Sequence, residues 1–232
     1  MTINLSQKMN AMPGKGGNMG FIKSLFQSNR TSALQQAYEN DSVIGKERHI
    51  NNQKIIDQYK SSNKPLDILA VAISYEREGA SYRPQAIEYF ERFLSNPAPI
   101  PSVPHAITAD HKQKPMFSYW MIYSALATLY EREYDFDNAI KYLRFLPKES
   151  NYDNPADFTR IGDILLKIDV DKAVEYYKDL KTQPVYKKFA KSFDSAYADV
   201  LDKQAKGYKY KPIKRRDNHE QSNAYSKSKP SS

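Results

Sequence analysis

The stretch AISYEREGASYRPQAIEYF, residues 72–90, is echoed by ATLYEREYDFDNAIKYL, residues 127–143. Both contain the string YERE, and in both a later Ala-Ile pair is followed by one residue and then a Tyr. Self-similarity of this kind is the sequence signature of a repeat architecture. The chain is therefore expected to contain a repeating unit of two helices.

Three segments share one order of small and large apolar residues. In each, a small residue stands in the middle of a first predicted helix, and an alanine stands early in a second predicted helix. Larger apolar residues follow that alanine at helical spacing. Small residues let two antiparallel helices approach closely, and the large residues fill the space between them. The small residues are Ala72, Ala127 and Gly162 in the first helices, and Ala86, Ala139 and Ala173 in the second helices.

This arrangement resembles the tetratricopeptide repeat, a helix–turn–helix unit of about 34 residues. The resemblance covers about residues 65–184, with two extra residues in the first turn, one fewer in the third, and no family Trp. It implies an all-α fold, a solenoid of helical hairpins. The residues at the family's positions are Ala72, Tyr75, Ala86, Phe90 and Pro97, then Ala127, Tyr130, Ala139 and Leu143, then Gly162, Leu165, Ala173, Tyr177 and Pro184.

In this alignment Tyr75 and Tyr130 hold equivalent core positions near the end of a first helix. The charged residues directly after each Tyr are expected to solvate the helix end. They are Glu76, Arg77 and Glu78 in the first unit, and Glu131, Arg132 and Glu133 in the second.

Composition divides the chain into three parts. Residues 1–30 are predicted to be a flexible basic segment, residues 31–207 a helical-repeat domain, and residues 208–232 a disordered basic tail. A Pro-rich insert, residues 96–115, separates the first two units. The last predicted helix should cap the array, because Pro184 suits a helix first turn and Gly207 suits a helix stop.

Two segments are open to more than one interpretation. Residues 31–61 read as helical, and Gly45 together with the polar stretch KERHINNQ predicts either a break or a weakly helical centre; the segment resembles a degenerate earlier hairpin. The insert is expected to be an ordered strap that packs Ile100, Val103 and Ile107 onto the helices. The alternative is a docking segment in polyproline-II form.

The net charge of +8 belongs to the ends of the chain rather than to its centre. Residues 203–232 carry +7 and residues 1–30 carry +4, whereas residues 31–202 carry −3. The mean hydropathy is −0.74, there is no cysteine, and the longest apolar run, ILAVAI, is far shorter than the roughly 20 residues of a membrane span. We expect a cytoplasmic protein without an integral membrane segment.

No constellation of side chains predicts catalysis, and the expectation is a protein that is not an enzyme and needs no cofactor or metal. PGKGG lacks the remaining residues of a phosphate loop. A metal site at His105, Asp110 and His111 has no helical spacing to support it. The acidic pairs Asp135/Asp137 and Asp169/Asp171 stand at turns between predicted helices, so an Asp in each pair is predicted to cap the second helix.

A helical-repeat protein usually binds through its concave face, lined by the first helices. We expect this face to bind an amphipathic helix or an extended peptide. The Lys and Asn of the family's carboxylate clamp are missing. An alternative is that residues 31–61 bury Leu69 and Ile73 and fill the groove. The predicted face consists of Leu69, Ile73, Glu76, Arg77, Ser124, Thr128, Glu131, Arg132, Thr159, Asp163 and Lys167.

The C-terminal tail offers a second kind of binding. Its cations alternate with tyrosines, a combination that suits single-stranded RNA or DNA. The predicted functions are therefore an adaptor that binds protein or peptide, a nucleic-acid-associated factor that acts through the tail, or an assembly or secretion chaperone. The polyanion-binding residues of the tail are Lys209, Lys211, Lys214, Arg215 and Arg216.

Overall fold

The computed structural model describes residues 32–104 and 113–212, and most of these residues are helical. The predicted all-α fold is confirmed. The described residues divide into two compact units with the boundary between Ser118 and Tyr119, just after the Pro-rich insert.

The described part of the first unit contains four helices and a pair of short strands. Ser32 caps the first helix by accepting a hydrogen bond from the backbone N–H of Gln35. Gly45 has a φ of +66° and begins the second helix, so of the two predicted alternatives the break is the one observed, and KERHINNQ lies within an uninterrupted helix. The helices are α1 (Ala33–Glu39), α2 (Gly45–Tyr59), α3 (Pro65–Glu78) and α4 (Arg83–Ser95), with 3-10 turns at Asn40–Ser42 and Ala80–Tyr82.

Helix α3 forms the centre of the first unit. It packs against α1, α2 and α4. Every residue from Ile68 to Ser74 is buried, so this helix is covered on all sides over two turns. A helix that is apolar all round belongs in a core, which is why ILAVAI lies here.

The described flanks of the insert pair as antiparallel strands, β1 (Ser102–Pro104) and β2 (Gln113–Pro115). Such a ladder is absent from a polyproline-II segment, which has no internal hydrogen bonds. Ile107 lies outside the described residues. After β2, the buried Phe117 contacts Tyr38 of α1 edge-to-face, with ring centroids 6.0 Å apart, so the chain returns to the helices.

The described part of the second unit consists of two helical hairpins followed by one long helix. The first hairpin packs on the second through α6 and α8, and the last helix packs on α9 and α8. Its bounds fit the predicted start at Pro184 and the predicted stop at Gly207, which has a φ of +64°. The helices are α5 (Tyr119–Arg132), α6 (Phe136–Leu143), α7 (Leu146–Glu149), α8 (Ala156–Ile168), α9 (Val170–Thr182) and α10 (Pro184–Ala205).

Aspartates begin the second helix of each of these hairpins. The Asp135 side chain accepts from the backbone N–H of Asn138, and the Asp169 side chain accepts from the backbone N–H of Asp171. Each bond satisfies a donor that the first turn of the helix leaves without an intrahelical partner. The predicted capping role is confirmed.

A close helix contact in the second unit joins Gly162 of α8 to Tyr177 of α9. A Cβ added to Gly162 would lie 2.5 Å from the Tyr177 ring, so only glycine fits without a shift. The ring is held in place because Tyr197 stacks on it at 5.9 Å and its hydroxyl approaches the Thr159 carbonyl oxygen at 3.4 Å. The sequence pattern predicted this pairing of a small residue with an aromatic one.

The two buried alanines test the hairpin alignment. Ala86 and Ala139 are fully buried, so Ala86→Leu and Ala139→Leu should each overpack a helix contact and cost about 1–3 kcal/mol of unfolding free energy. Ala205→Leu, at an exposed position of α10, is the matched control and should leave the melting temperature almost unchanged. Wild-type melting of both core variants would contradict the alignment.

Gly162→Ala tests the close contact directly. In an open helix this change stabilises by about 1 kcal/mol, whereas here we expect a loss of stability, because the new methyl group meets the Tyr177 ring. The same change should cost less in a Tyr177→Leu background, and chemical denaturation of all four proteins measures that coupling. An equal cost in both backgrounds would show that the ring is not the obstacle.

Candidate functional site

A line of polar contacts joins the first helices of the two hairpins in the second unit. We call it the α5–α8 ladder. It contains three of the residues predicted for the α5 part of the face and one predicted for the α8 part. Its members are Trp120, Ser124, Thr128 and Glu131 on α5, and Asp157, Arg160 and Lys167 on α8.

Arg160 is the centre of the ladder. Its guanidinium donates to the Ser124 hydroxyl at 3.0 Å and to the Thr128 hydroxyl at 2.5 Å, and lies 3.8 Å from the Glu131 carboxylate. Glu131 also pairs with Lys167. The side chains of Arg160, Glu131 and Lys167 are 29%, 26% and 27% exposed, so they are held in place and still reach the surface.

One end of the ladder is buried. The indole N–H of Trp120 donates to Oδ1 of Asp157 at 3.0 Å, and the Asn154 side chain donates to the same oxygen at 3.0 Å. Asp157 is almost completely buried, so these two donors partly compensate a carboxylate that has lost its water. This end fixes the position of α8 against α5.

Asp163 lies one turn beyond Arg160 and is exposed. Partial desolvation by the surrounding protein raises the pKa of its carboxyl above the ordinary value, and the positive charges of Lys203 and Lys167 oppose that shift. A carboxylate therefore stands between two lysines beside the ladder. Thr159, predicted for the same face, is half-buried, and the approach of the Tyr177 hydroxyl to its carbonyl places its backbone toward α9.

The chain returns to this region after α10. The Tyr210 ring meets Phe136 edge-to-face with centroids 6.0 Å apart, and the Lys167 ammonium lies 5.9 Å from the centre of the Tyr210 ring. Residues 208–212 were predicted to belong to the disordered tail, but Tyr210 is half-buried against the second unit. These two contacts of the Tyr210 ring hold the segment against the second unit, although its composition is polar.

In the first unit, the face that was predicted to bind a partner is covered by other helices of the same unit. Leu69 is 0% exposed and Ile73 is 6% exposed, and α3 packs against both α1 and α2. The structure thus places these two side chains in the core, as in the alternative in which residues 31–61 fill the groove.

Two of the three charged residues after Tyr75, Arg77 and Glu78, do not solvate the helix end, so the prediction is wrong for them. Arg77 donates to the Ala37 carbonyl oxygen at 2.7 Å and to the Asp41 carboxylate at 2.7 Å. Burial lowers the pKa of the Arg77 guanidinium, although the Asp41 charge favours its protonated form. Arg77 therefore ties α3 to α1 and is not a free face residue, whereas Glu76 is exposed.

Glu78 is a buried carboxylate that sequence reasoning missed. Its side chain is 3% exposed, and it accepts from the side-chain amides of Asn52 at 2.8 Å and Gln53 at 2.9 Å. His49 pairs with the same carboxylate. Asn40 extends the network by donating to Asn52 at 2.6 Å. These donors attach α2 to the end of α3.

Arg160, Trp120 and Asp157 were also missed, although Arg160 is the centre of the ladder. The only available signal was spacing: Arg160 and Lys167 are seven residues apart and share one face of a helix. Arg132, at the end of α5, is exposed. In the tail, Lys209 and Lys211 are exposed, and Lys214, Arg215 and Arg216 lie outside the described residues.

Among residues 32–104 and 113–212, no group of three or more His, Cys, Asp or Glu side chains is placed to hold a metal ion. His105, Asp110 and His111 fall outside these ranges. Within the same ranges no helix is both long enough and apolar enough to cross a bilayer. Comparison of the chain with family models, with curated proteins and with solved structures finds no match.

Proposed function

We propose that this protein is a non-enzymatic adaptor, built from tetratricopeptide-like helical hairpins, that binds a protein or peptide at the α5–α8 ladder. The observation that carries the proposal is the arrangement of Arg160, Glu131 and Lys167, which are held by neighbours and remain partly exposed. Such groups lose little conformational freedom on binding, so they favour recognition of a partner's polar backbone.

The first unit supports the proposal by contrast. Its first helix α3 is covered by α1 and α2, so Leu69 and Ile73 leave no apolar surface for a partner. The corresponding helix of the second unit carries half-exposed polar groups instead. We therefore assign partner binding to the first helices of the hairpins in the second unit, α5 and α8.

Affinity capture from native lysate tests the adaptor function. The full chain is compared with an Arg160→Ala/Asp163→Ala variant on the ladder side and with a Lys46→Ala/Glu47→Ala variant on α2. Both variants lose one base and one acid, and Lys46 and Glu47 are exposed. We expect the first variant to lose about tenfold or more in affinity for the captured protein and the second to bind like the wild type.

Circular dichroism of both variants controls for folding, and nuclease treatment removes proteins captured through nucleic acid. Equal recovery by all three proteins would show that the ladder is not the binding face. Recovery of protein only in nuclease-free samples would overturn the adaptor function itself.

A second candidate function is supported by the charge of the tail. Residues 203–232 hold nine Lys or Arg and two acidic residues, and Tyr208 and Tyr210 alternate with Lys209 and Lys211. Cations neutralise phosphates, and tyrosines stack on bases. This function is a nucleic-acid-associated factor that binds RNA or DNA through the tail.

Binding of fluorescein-labelled poly(U) RNA tests the second function. If the tail neutralises about five phosphates, the logarithm of the association constant should fall with the logarithm of salt concentration with a slope of about −3.5. A chain that ends at Pro212 keeps the Tyr210 contacts and should lose most of this binding. Unchanged binding after that truncation would contradict a role for the tail.

A further inference from the structure

An apolar groove of about 450 Å³ opens on the second unit, away from the residues of the ladder. Phe158 forms its buried floor, Val185 and Pro184 form one wall, and Tyr152, 50% exposed, stands at its mouth. The volume is within the range of sites that enclose a large side chain or a small ligand. Its lining is Tyr152, Phe158, Gln183, Pro184, Val185 and Lys188.

The backbone on both sides of the groove is irregular. Asn151 and Tyr152 have φ values of 53° and 56°, a conformation that residues other than glycine rarely adopt. Across the groove, Phe189 has φ −127° and ψ 25° inside α10, so the first turn of that helix is offset from the rest. Residues kept in such conformations concentrate at binding sites, because the surrounding contacts must sustain them.

Specific contacts hold this geometry. The backbone N–H of Tyr152 donates to the Pro147 carbonyl oxygen at 2.7 Å. The Lys188 ammonium bonds the Tyr152 carbonyl oxygen at 3.3 Å and pairs with the Asp153 carboxylate. The turn is thereby joined to the first part of α10, and the groove between them is already formed.

The chain beside the groove is rich in lysine. Residues 178–191 contain five lysines and one aspartate, although residues 31–202 as a whole are acidic. Two of the five lysines are in ion pairs, Lys188 with Asp153 and Lys181 with Asp194. Lys187 and Lys191, close in sequence to the lining residue Lys188, are exposed. A negatively charged ligand is favoured here, because electrostatic attraction speeds its encounter with the groove and disfavours ligands of the same charge.

The tails of this chain do not have that charge. Residues 1–30 contain four Lys or Arg and no acidic residue, and residues 203–232 carry +7. Like charges facing each other across a contact are unfavourable. The complementary occupant is therefore another molecule.

We infer that this groove binds an acidic peptide segment of a partner protein, which inserts one aromatic or branched aliphatic side chain between Tyr152 and Val185. Phe158 receives the apolar anchor, and Lys188 at the groove, with the exposed Lys187 and Lys191 close to it in sequence, supplies positive charge for the acidic flanks. The enclosed apolar lining favours a peptide over a nucleic-acid backbone or a lipid headgroup, since either of those would place phosphate over Phe158 and Val185. The groove shares no residue with the ladder, so the inference does not rest on the proposed function.

Selection from a displayed library of random 12-residue peptides against the full chain tests the inference. We expect the enriched peptides to carry an aromatic or aliphatic residue flanked by Asp or Glu. A fluorescein-labelled enriched peptide should bind about tenfold more weakly to Val185→Asp and to Lys187→Glu/Lys191→Glu. It should bind normally to Lys46→Glu/Lys172→Glu, a control with the same charge change at exposed positions.

Val185 also touches the core of the second unit, so thermal melting must accompany its variant; the two exposed lysines carry the test if Val185→Asp unfolds. Arg160→Ala/Asp163→Ala should bind the peptide normally, which separates this groove from the ladder. The inference is overturned if no enriched peptide depends on the two lysines or if the enriched peptides lack acidic residues. It is also overturned if poly(U) RNA or phosphatidylserine vesicles, rather than peptides, bind and lose binding in Lys187→Glu/Lys191→Glu.

Discussion

The contact between Gly162 and Tyr177 sets the distance between two helices on which the second unit depends. Since no other side chain fits at 162, α8 and α9 approach closely, and Tyr177 is clamped between Gly162 and the Tyr197 ring. The same close approach fixes the direction in which the remaining faces of α8 point. Asp157, Arg160 and Lys167 then meet α5, while Phe158 meets α10 through Phe193, with ring centroids 5.6 Å apart.

The two YERE strings share their tyrosine packing, whereas their charged residues bond in different directions. Tyr75 lies 5.5 Å from Tyr89, and Tyr130 lies 5.7 Å from Tyr142, so each tyrosine contacts the aromatic residue three positions after the early alanine of its own second helix. The charged residues bond to neighbours outside the hairpin. Arg77 and Glu78 bond backward to α1 and α2, whereas Glu131 bonds forward to α8. One local sequence therefore supports two different long-range attachments.

This division explains why sequence reasoning predicted some features and missed others. Hairpins, helix caps and the last helix depend on sequence patterns within about 30 residues. Ala139, Asp135 and Pro184 belong to those patterns, which is why these features could be predicted. The Glu78 network depends on donors 25 to 29 residues earlier, and nothing near Glu78 signals that its charge is buried. Arg160 bonds to α5, whereas the carbonyl of Thr159, the residue predicted for the face, lies toward α9. Which residues of α8 meet α5 depends on packing, which spacing alone does not record.

The distribution of charge separates the surfaces that a partner meets. In the first unit, the charged groups of Arg77 and Glu78 at the end of α3 form hydrogen bonds within the unit. In the second unit, opposite charges lie side by side along the ladder, so that surface is nearly neutral and suits a polar backbone. Residues 178–191, around Val185, carry more positive than negative charge beside an apolar floor. Electrostatic attraction between acidic residues and lysines weakens steeply with salt, whereas burial of an apolar anchor does not. The acidic peptide proposed for the groove should therefore keep its apolar contact at high salt while it loses the contribution of the lysines.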